Sequence, residues 1–307
     1  MKVVLPVAGN GIRLRPYTED RPKCLLPVAG KTIIDWIVED VSCLNPSETV
    51  FITGYRADKM DEYLESKPEW GRLRTVVQSN PQGLGEAISL ALPYASDDEP
   101  LLIILGDTLF EADLGILKSS AENVLYTFKV EDPKRFGVAV TDNNGFIQRL
   151  VEKPQEFVSD EALVGIYYIK DVKALKESLK YIMDNDIRTR NEFQLTDALE
   201  MMIEKGCRFR TAPVEKWLDC GLVETLLDTN AQVLNRNDNS SEFNISGVTI
   251  VAPCHIGKNV KMDNCKIGPN VSIGDGCEIS GCEISDAIVW DGVKISNGKV
   301  NNSVIHK

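Results

Sequence analysis

The sequence predicts an α/β domain followed by a parallel β-helix, and three observations carry that expectation. Short β-branched runs alternate with amphipathic stretches from Met1 to about Leu234. A polar run with no apolar anchor, Asn235 to Ser241, then interrupts the pattern. Beyond it, isoleucines recur at a short, regular interval. At 307 residues the chain is long enough for about two domains.

Taken in order, Lys2–Val7, Thr49–Thr53, Arg74–Val77 and Leu101–Leu105 read as buried strands bounded by Gly, Pro or Asp. Between the first two, Ile33, Ile34, Ile37, Val38, Val41 and Leu44 recur at helical spacing. Thr32 and Asp35 supply a capping box for that helix. Strand–helix–strand alternation implies a mostly parallel sheet covered on both faces. Ligands of such sheets sit beyond the carboxyl ends of the strands. The loops Ala8–Lys23, Ser79–Gly85 and Gly106–Phe110 all follow strands and are expected to converge on one crevice.

The polar run reads as a linker over 235–243, dividing a domain at 1–234 from another at 244–307. In the latter, Ile250, Ile256, Met262, Ile267, Ile273, Ile279, Ile284, Ile295, Val300 and Ile305 form a hexapeptide repeat. Such repeats wind as a parallel β-helix, because one coil cannot bury its own apolar edge and stacking makes the core. Cys254, Cys265, Cys277 and Cys282 each lie two residues before a repeat aliphatic, a place that Val260, Val271 and Val293 take elsewhere. They read as small buried fillers rather than a metal or redox site.

Composition narrows the function. No stretch approaches the roughly 20 apolar residues of a membrane span, and Met1 to Val7 is too short for a signal peptide. Acidic residues outnumber basic ones by 46 to 34, for a net charge of −12, so neither nucleic acid nor an anionic membrane is an expected partner. An anionic ligand must instead meet a local cluster of Arg and Lys. Eight cysteines without a C-x-x-C pair, and two histidines, argue against zinc and fit a reducing cytoplasm.

One loop carries such a cluster. Ala8-Gly9-Asn10-Gly11-Ile12-Arg13-Leu14-Arg15-Pro16 follows the first strand and continues through Thr18 to Arg21-Pro22-Lys23. Glycines let backbone N–H groups approach a polyphosphate; Arg13 offers a bidentate fork and Lys23 a point charge. The spacing is neither a Walker loop nor G-x-G-x-x-G. With Leu25-Leu26-Pro27-Val28, it resembles the signature of sugar-1-phosphate nucleotidyltransferases. The best match is the glucose-1-phosphate thymidylyltransferase type, in its long form with a left-handed β-helix tail.

That resemblance implies a Rossmann-like nucleotidyltransferase domain and a set of roles. Gly9, Gly11 and Arg13 would wrap the nucleoside triphosphate, and Arg13 and Lys23 would stabilise the reacting phosphates. Val77-Gln78-Ser79-Asn80-Pro81-Gln82-Gly83 resembles the base-reading loop, with Gln78 facing the pyrimidine and the backbone at Gly83 touching it. A Gln amide pairs donor and acceptor with a pyrimidine imide. Asp107 ends a strand and Asp219 lies far downstream; the resemblance makes both Mg²⁺ ligands, consistent with that ion's taste for one or two carboxylates plus substrate phosphate. Gly137, Glu152, Lys153, Gly165, Tyr167 and Arg190 fall at the sugar-phosphate positions. Two departures bear on the nucleotide: Ile12 and Cys220 stand where thymidylyl enzymes commonly have Thr.

The expected activity joins a hexose 1-phosphate, glucose 1-phosphate first, to dTTP or UTP, with Mg²⁺ as cofactor and a homo-oligomer as the working form. Alternatives are another nucleotide or an amino-sugar phosphate, an acyltransferase using His255 or His306, and a non-catalytic regulatory subunit. With no second acid–base constellation in its repeats, the β-helix is expected to serve assembly and stability.

Overall fold

The computed structural model describes residues 1–306. Nine strands form the main sheet: β1 (Lys2–Pro6), β2 (Glu48–Thr53), β3 (Leu73–Val77), β4 (Leu101–Ile104), β5 (Asn123–Lys129), β6 (Gly137–Thr141), β7 (Ile147–Glu152), β8 (Glu161–Ile169) and β9 (Phe209–Pro213). Their spatial order is β7-β6-β8-β4-β1-β2-β3, with β5 pairing both β8 and β9. The pairs β1–β2, β1–β4, β2–β3 and β5–β9 are parallel, whereas β8 runs antiparallel to β4, β5 and β6. The sheet is therefore mixed, mostly parallel where the first four strands meet. The four strands expected from sequence appear within a residue of their anticipated ends, but β3, at the edge of the sheet, is only partly buried.

Six helices accompany them: α1 (Ile33–Ser42), α2 (Ala57–Glu65), α3 (Leu84–Ala91), α4 (Val172–Asp184), α5 (Leu195–Glu204) and α6 (Val223–Asn237). The capping box of α1 is reciprocal. The Thr32 N–H donates to Asp35 at 2.8 Å and the Asp35 N–H donates to the Thr32 hydroxyl at 3.2 Å. In the core, Val4, Ile52 and Ile103 of the sheet pack with Ile88 of α3, Leu175 and Leu179 of α4, and Leu199 and Met202 of α5. Each such side chain stabilises by about 1.5–3 kcal/mol on burial. No helix among the described residues is long and apolar enough to cross a membrane.

Contacts divide the chain into two compact units that do not follow the sequential division at 234. One comprises Met1–Asn10, Ile37–Gly106 and Phe110–Trp217; the other comprises Gly11–Trp36, Asp107–Leu109 and the chain from Leu218 on. Helix α6 folds with the coils of the second unit, burying Leu226, Leu227, Val233 and Leu234. The stretch expected as a linker is accordingly structured. Asn235–Asn237 finish α6. Asp238 and Asn239 then accept from the backbone N–H groups of Cys254 and Ile256, at 3.0 and 2.9 Å. A polar run looks like a linker in sequence, but here its side chains complete the hydrogen bonding of the first coil.

The coils pair in parallel register: Val248 with Cys265, Cys254 with Val271, Lys261 with Glu278, and Glu278 with Lys294. Partners on successive turns are 16 or 17 positions apart. Asn259, Asn264, Asn270, Asn297 and Asn302 turn the corners with positive φ, a conformation Asn tolerates because its side chain bonds locally. Ile256, Ile267, Ile273, Ile279 and Ile284 are buried, while Ile250, Met262 and Ile295 are only partly covered. Cys254, Cys265, Cys277 and Cys282 are buried free thiols, with Cys265 stacked on Val248 and Cys254 on Val271, as fillers should be.

Candidate active site

The charged residues singled out from sequence gather first in the second unit. The loop after β1 tightens into a short 3₁₀ turn, Ile12–Leu14, and the Thr18 hydroxyl donates to the Gly11 carbonyl at 2.9 Å. This fold-back brings Lys23 under Gly11, so that a Cβ there would lie 3.2 Å from the Lys23 Cβ. The Lys23 ammonium pairs with Asp107 at 3.2 Å, and Asp107 also accepts from the Thr108 hydroxyl at 3.2 Å. Asp219 closes the strand Lys216–Asp219; its carboxylate accepts from the Gly221 N–H at 3.0 Å and the Thr225 hydroxyl at 3.2 Å. The Arg13 guanidinium lies beside it, 3.2 Å from where a Cβ on Gly221 would sit.

Cys220 reports on Lys23, Asp107 and Asp219 together. Burial pushes its thiol up to about 12; Lys23 acts to lower it, and Asp219 and Asp107 act to raise it. One buried sulfur thus feels both carboxylates and the lysine, although the two aspartates are far apart in sequence. Burial likewise pushes Cys24 up to about 12, so neither thiol is a nucleophile near neutral pH.

The donor set of Asp107 and Asp219 consists of hard oxygens, and each ionised carboxylate has lone pairs beyond the contacts above. Asp107 is half exposed. No group of three or more His, Cys, Asp or Glu among the described residues is arranged to hold a metal. Two carboxylates completed by substrate phosphates suit Mg²⁺ and not zinc.

In the first unit the loop expected to read the base is built around a residue that sequence reasoning missed. Gln78 is buried, and its side-chain amide donates to the buried carboxylate of Glu86 at 2.5 Å; the Gln82 N–H donates to the same oxygen at 3.3 Å. Glu86 sits in the first turn of α3. Gly83 caps that helix at φ 121, and a Cβ there would come 2.5 Å from the Phe193 carbonyl. Glycine is required at this position by close backbone approach as well as by conformation. The Gly85 N–H donates to the Phe193 carbonyl at 2.7 Å, and Arg188 fixes Gln82 at 2.8 Å. Gly9 has open space around it: a Cβ there would meet nothing within 4 Å.

Gly137, Glu152, Lys153 and Arg190 also converge. Glu152 pairs with the Lys153 ammonium at 3.1 Å and accepts from the Thr196 hydroxyl at 2.8 Å, while a Cβ on Gly137 would lie 3.0 Å from the Glu152 carboxylate. Arg190 donates to the Lys153 carbonyl at 3.0 Å, and both residues hold positive φ (52° and 45°). Such backbone strain is characteristic of functional loops. Asp197 was not anticipated either. Its Oδ2 is buried with no hydrogen-bond partner, and its pKa is raised, chiefly by burial, with the Glu152 charge adding to the rise and Thr189 opposing it.

The remaining two sugar-side candidates lie elsewhere in β8. Gly165 forms the bulge between Leu163 and Tyr167, at φ 89, and Tyr167 is buried in the main core opposite Ile103 and Leu125. The histidines proposed as alternative bases are both packed. His255 lies against Gly30 and Asn237, and His306 against Tyr17 and Trp290.

The nucleotidyl transferase family matches residues 2–236 of the chain. The chain belongs to that family. This nucleotidyl transferase is 29% identical over 307 residues to the glucose-1-phosphate thymidylyltransferase of Streptomyces antibioticus, an alignment spanning 91% of this chain and 84% of that protein. It is 32% identical to a low-salt glycan biosynthesis nucleotidyltransferase of Haloferax volcanii, over 76% of this chain and 66% of that one. It is also 32% identical to the bifunctional protein GlmU of Methanococcus maripaludis, covering 77% of this chain but 55% of that protein. A UDP-glucose pyrophosphorylase complexed with UDP-glucose shares the fold, with a TM-score of 0.66, 23% identity, and coverage of 76% of this chain and 98% of that one.

Proposed function

We propose that this nucleotidyl transferase couples a hexose 1-phosphate, glucose 1-phosphate first, with dTTP or UTP to give a nucleotide-sugar and pyrophosphate. The observation that carries the reading is the gathering of Lys23, Asp107 and Asp219 about one buried thiol, with Arg13 beside Asp219. The relationship to a glucose-1-phosphate thymidylyltransferase over most of both chains supports it.

A sugar-phosphate oxygen attacks the α-phosphorus, the bond to the bridging oxygen breaks, and pyrophosphate departs. The attacking oxygen is already anionic, so no general base or covalent enzyme intermediate is needed. Arg13 and Lys23 neutralise the phosphate oxygens as charge shifts toward the leaving group. Asp107 and Asp219 would hold Mg²⁺, which when bound supplies further charge neutralisation on the triphosphate. Gly9 leaves room for the phosphates, and Gly11 turns the loop at positive φ. Gln78, with one amide hydrogen held by Glu86, keeps its carbonyl and second hydrogen for a pyrimidine imide, beside the backbone at Gly83. Glu152 accepts from sugar hydroxyls, and Lys153 and Arg190 meet the sugar phosphate. The working form is a homo-oligomer in a cytoplasmic setting.

A panel of nucleoside triphosphates and sugar 1-phosphates, read by pyrophosphate release, tests this. Release should be greatest with dTTP or UTP and glucose 1-phosphate. A purine nucleotide as the best substrate would refute the role given to Gln78 and Gly83.

A further inference from the structure

Arg13 and Lys23 lie in a segment that belongs neither to the main sheet nor to a long helix. Between Gly11 and Leu26 its backbone hydrogen bonds are local turns: Leu14 to Gly11, Arg15 to Ile12, Tyr17 to Leu14, Leu25 to Pro22 and Leu26 to Lys23. Turns of this kind give a segment shape without fixing where it sits. Cations that must meet developing charge need fixed positions, because their advantage comes from being oriented before the reaction.

The C-terminal coils provide that fixation at two points that bracket Lys23. At the first, the Tyr17 hydroxyl donates to the Val304 carbonyl at 3.1 Å, across 287 positions of sequence. The Tyr17 ring meets the edge of His306 at 5.0 Å and tilts against Trp290 at 6.1 Å. The Arg21 guanidinium lies over the buried Trp290 ring, 4.2 Å from its centroid. At the second point, the Ala29 N–H donates to Asn230 of α6 at 2.8 Å, and the Asn237 amide donates to the Ala29 carbonyl at 2.5 Å. Asn230 is itself tied to the coils through Ser272 at 2.5 Å and the Asn270 carbonyl at 3.3 Å. His255 packs so closely on Gly30 that a Cβ there would clash with its ring.

We propose that Trp290, with Tyr17 and Arg21 docked on it, positions the loop that carries Arg13 and Lys23. The β-helix is thus a structural part of the phosphate site and not merely an assembly module. The inference rests on the reading of Arg13 and Lys23 as phosphate-binding groups. Trp290 touches no reacting atom and acts through the loop.

The test uses the full chain with Trp290→Ala, Trp290→Phe and Tyr17→Phe. Loop order is read by deuterium uptake over 11–23 and by tryptic cleavage after Arg13 and Lys23, since Arg15 and Arg21 precede proline. In Trp290→Ala, uptake and cleavage should rise and kcat should fall by about 10- to 100-fold, the range a misplaced catalytic group commonly costs. The KM for sugar phosphate should stay unchanged, because Glu152, Lys153 and Arg190 are untouched. Trp290→Phe, which keeps a ring under Arg21, should restore most of the loss. A Trp290→Ala protein with a lower Tm but wild-type uptake over 11–23 and wild-type kcat would overturn the proposal. If Trp290→Ala does not fold, Tyr17→Phe removes only the hydroxyl bond, and unchanged uptake over 11–23 in that variant overturns it equally. Failure of the wild-type chain to release pyrophosphate with any substrate pair would refute the functional reading, while the uptake and cleavage arms still decide the loop contact.

Discussion

Gln78 and Glu86 illustrate how a buried acid gives a neutral amide its direction. With its carboxylate accepting one amide hydrogen at 2.5 Å, Glu86 leaves Gln78 a single amide orientation, the one proposed to meet a base. Replacing Glu86 with Gln keeps the volume but removes a charge-assisted bond, worth roughly 1.5–3 kcal/mol. The nucleotide KM should rise about tenfold or more with the sugar-phosphate KM unchanged, as substrate titrations of the variant would read. Asp219→Asn removes one charge beside Arg13 at constant volume. Turnover should fall about 100-fold or more while the thermal transition stays near wild type, and a wild-type kcat at limiting Mg²⁺ would count against the metal assignment. Asp197 bears on stability. Its folded pKa is raised above the ordinary 3.8 by burial and by Glu152, so the folded chain holds this proton longer than the unfolded one. Stability therefore falls as pH rises through the window from 3.8 to the raised value, and the deficit persists at neutral pH. Asp197→Asn should raise the neutral-pH Tm and flatten Tm against pH across that window; a lower Tm at pH 7 would show the charge to be stabilising instead.

At the scale of elements, the hairpin formed by Pro27–Val28 and Lys31–Thr32 depends on His255 beneath Gly30. Burial lowers the His255 pKa from 6.5, with Lys31 acting the same way and Asp275 and Glu242 opposing it. The folded state therefore resists protonation. Stability is unaffected above pH 6.5 and is lost as pH falls from there toward the depressed folded value. Deuterium uptake at Ala29 and Gly30 should increase between pH 7 and pH 5 and increase less in His255→Gln. The exposed ladders on the coils, Lys261–Glu278–Lys294 and Lys266–Glu283–Lys299, are of a different kind. Solvent screens them, so they contribute little stability.

For the molecule as a whole, the division of contacts places α6, the coils and the segment from Gly11 to Trp36 in one unit. Removing the coils strips α6 of the surface that buries Leu226, Leu227, Val233 and Leu234, and strips Tyr17 and Arg21 of Trp290. A chain ending at Asn237 should therefore aggregate or lose nucleotidyl transfer, with native-like far-ultraviolet circular dichroism in any soluble fraction. Full activity in a monodisperse truncated chain would show that the first 237 residues are self-sufficient.

Much of this was legible in the residues themselves. Short β-branched runs located the strands, helical spacing located α1, Thr32 and Asp35 announced its cap, and the isoleucine repeat announced the coils. The glycine and arginine motif after β1 pointed to phosphate chemistry, because backbone access and cationic forks are local properties of a short stretch. Sequence could not show Glu86 turned onto Gln78, Thr196 onto Glu152, or the Asp197 Oδ2 buried without a hydrogen bond, since each depends on which face of a helix packs inward. Nor could it show that the polar stretch from Asn235 to Asn239 ends a helix and caps a coil. The seating of Tyr17 on Trp290 joins residues at opposite ends of the chain, and only tertiary packing decides contacts of that range. Local patterns record what each segment can bury, whereas the partner that buries it is chosen by the fold.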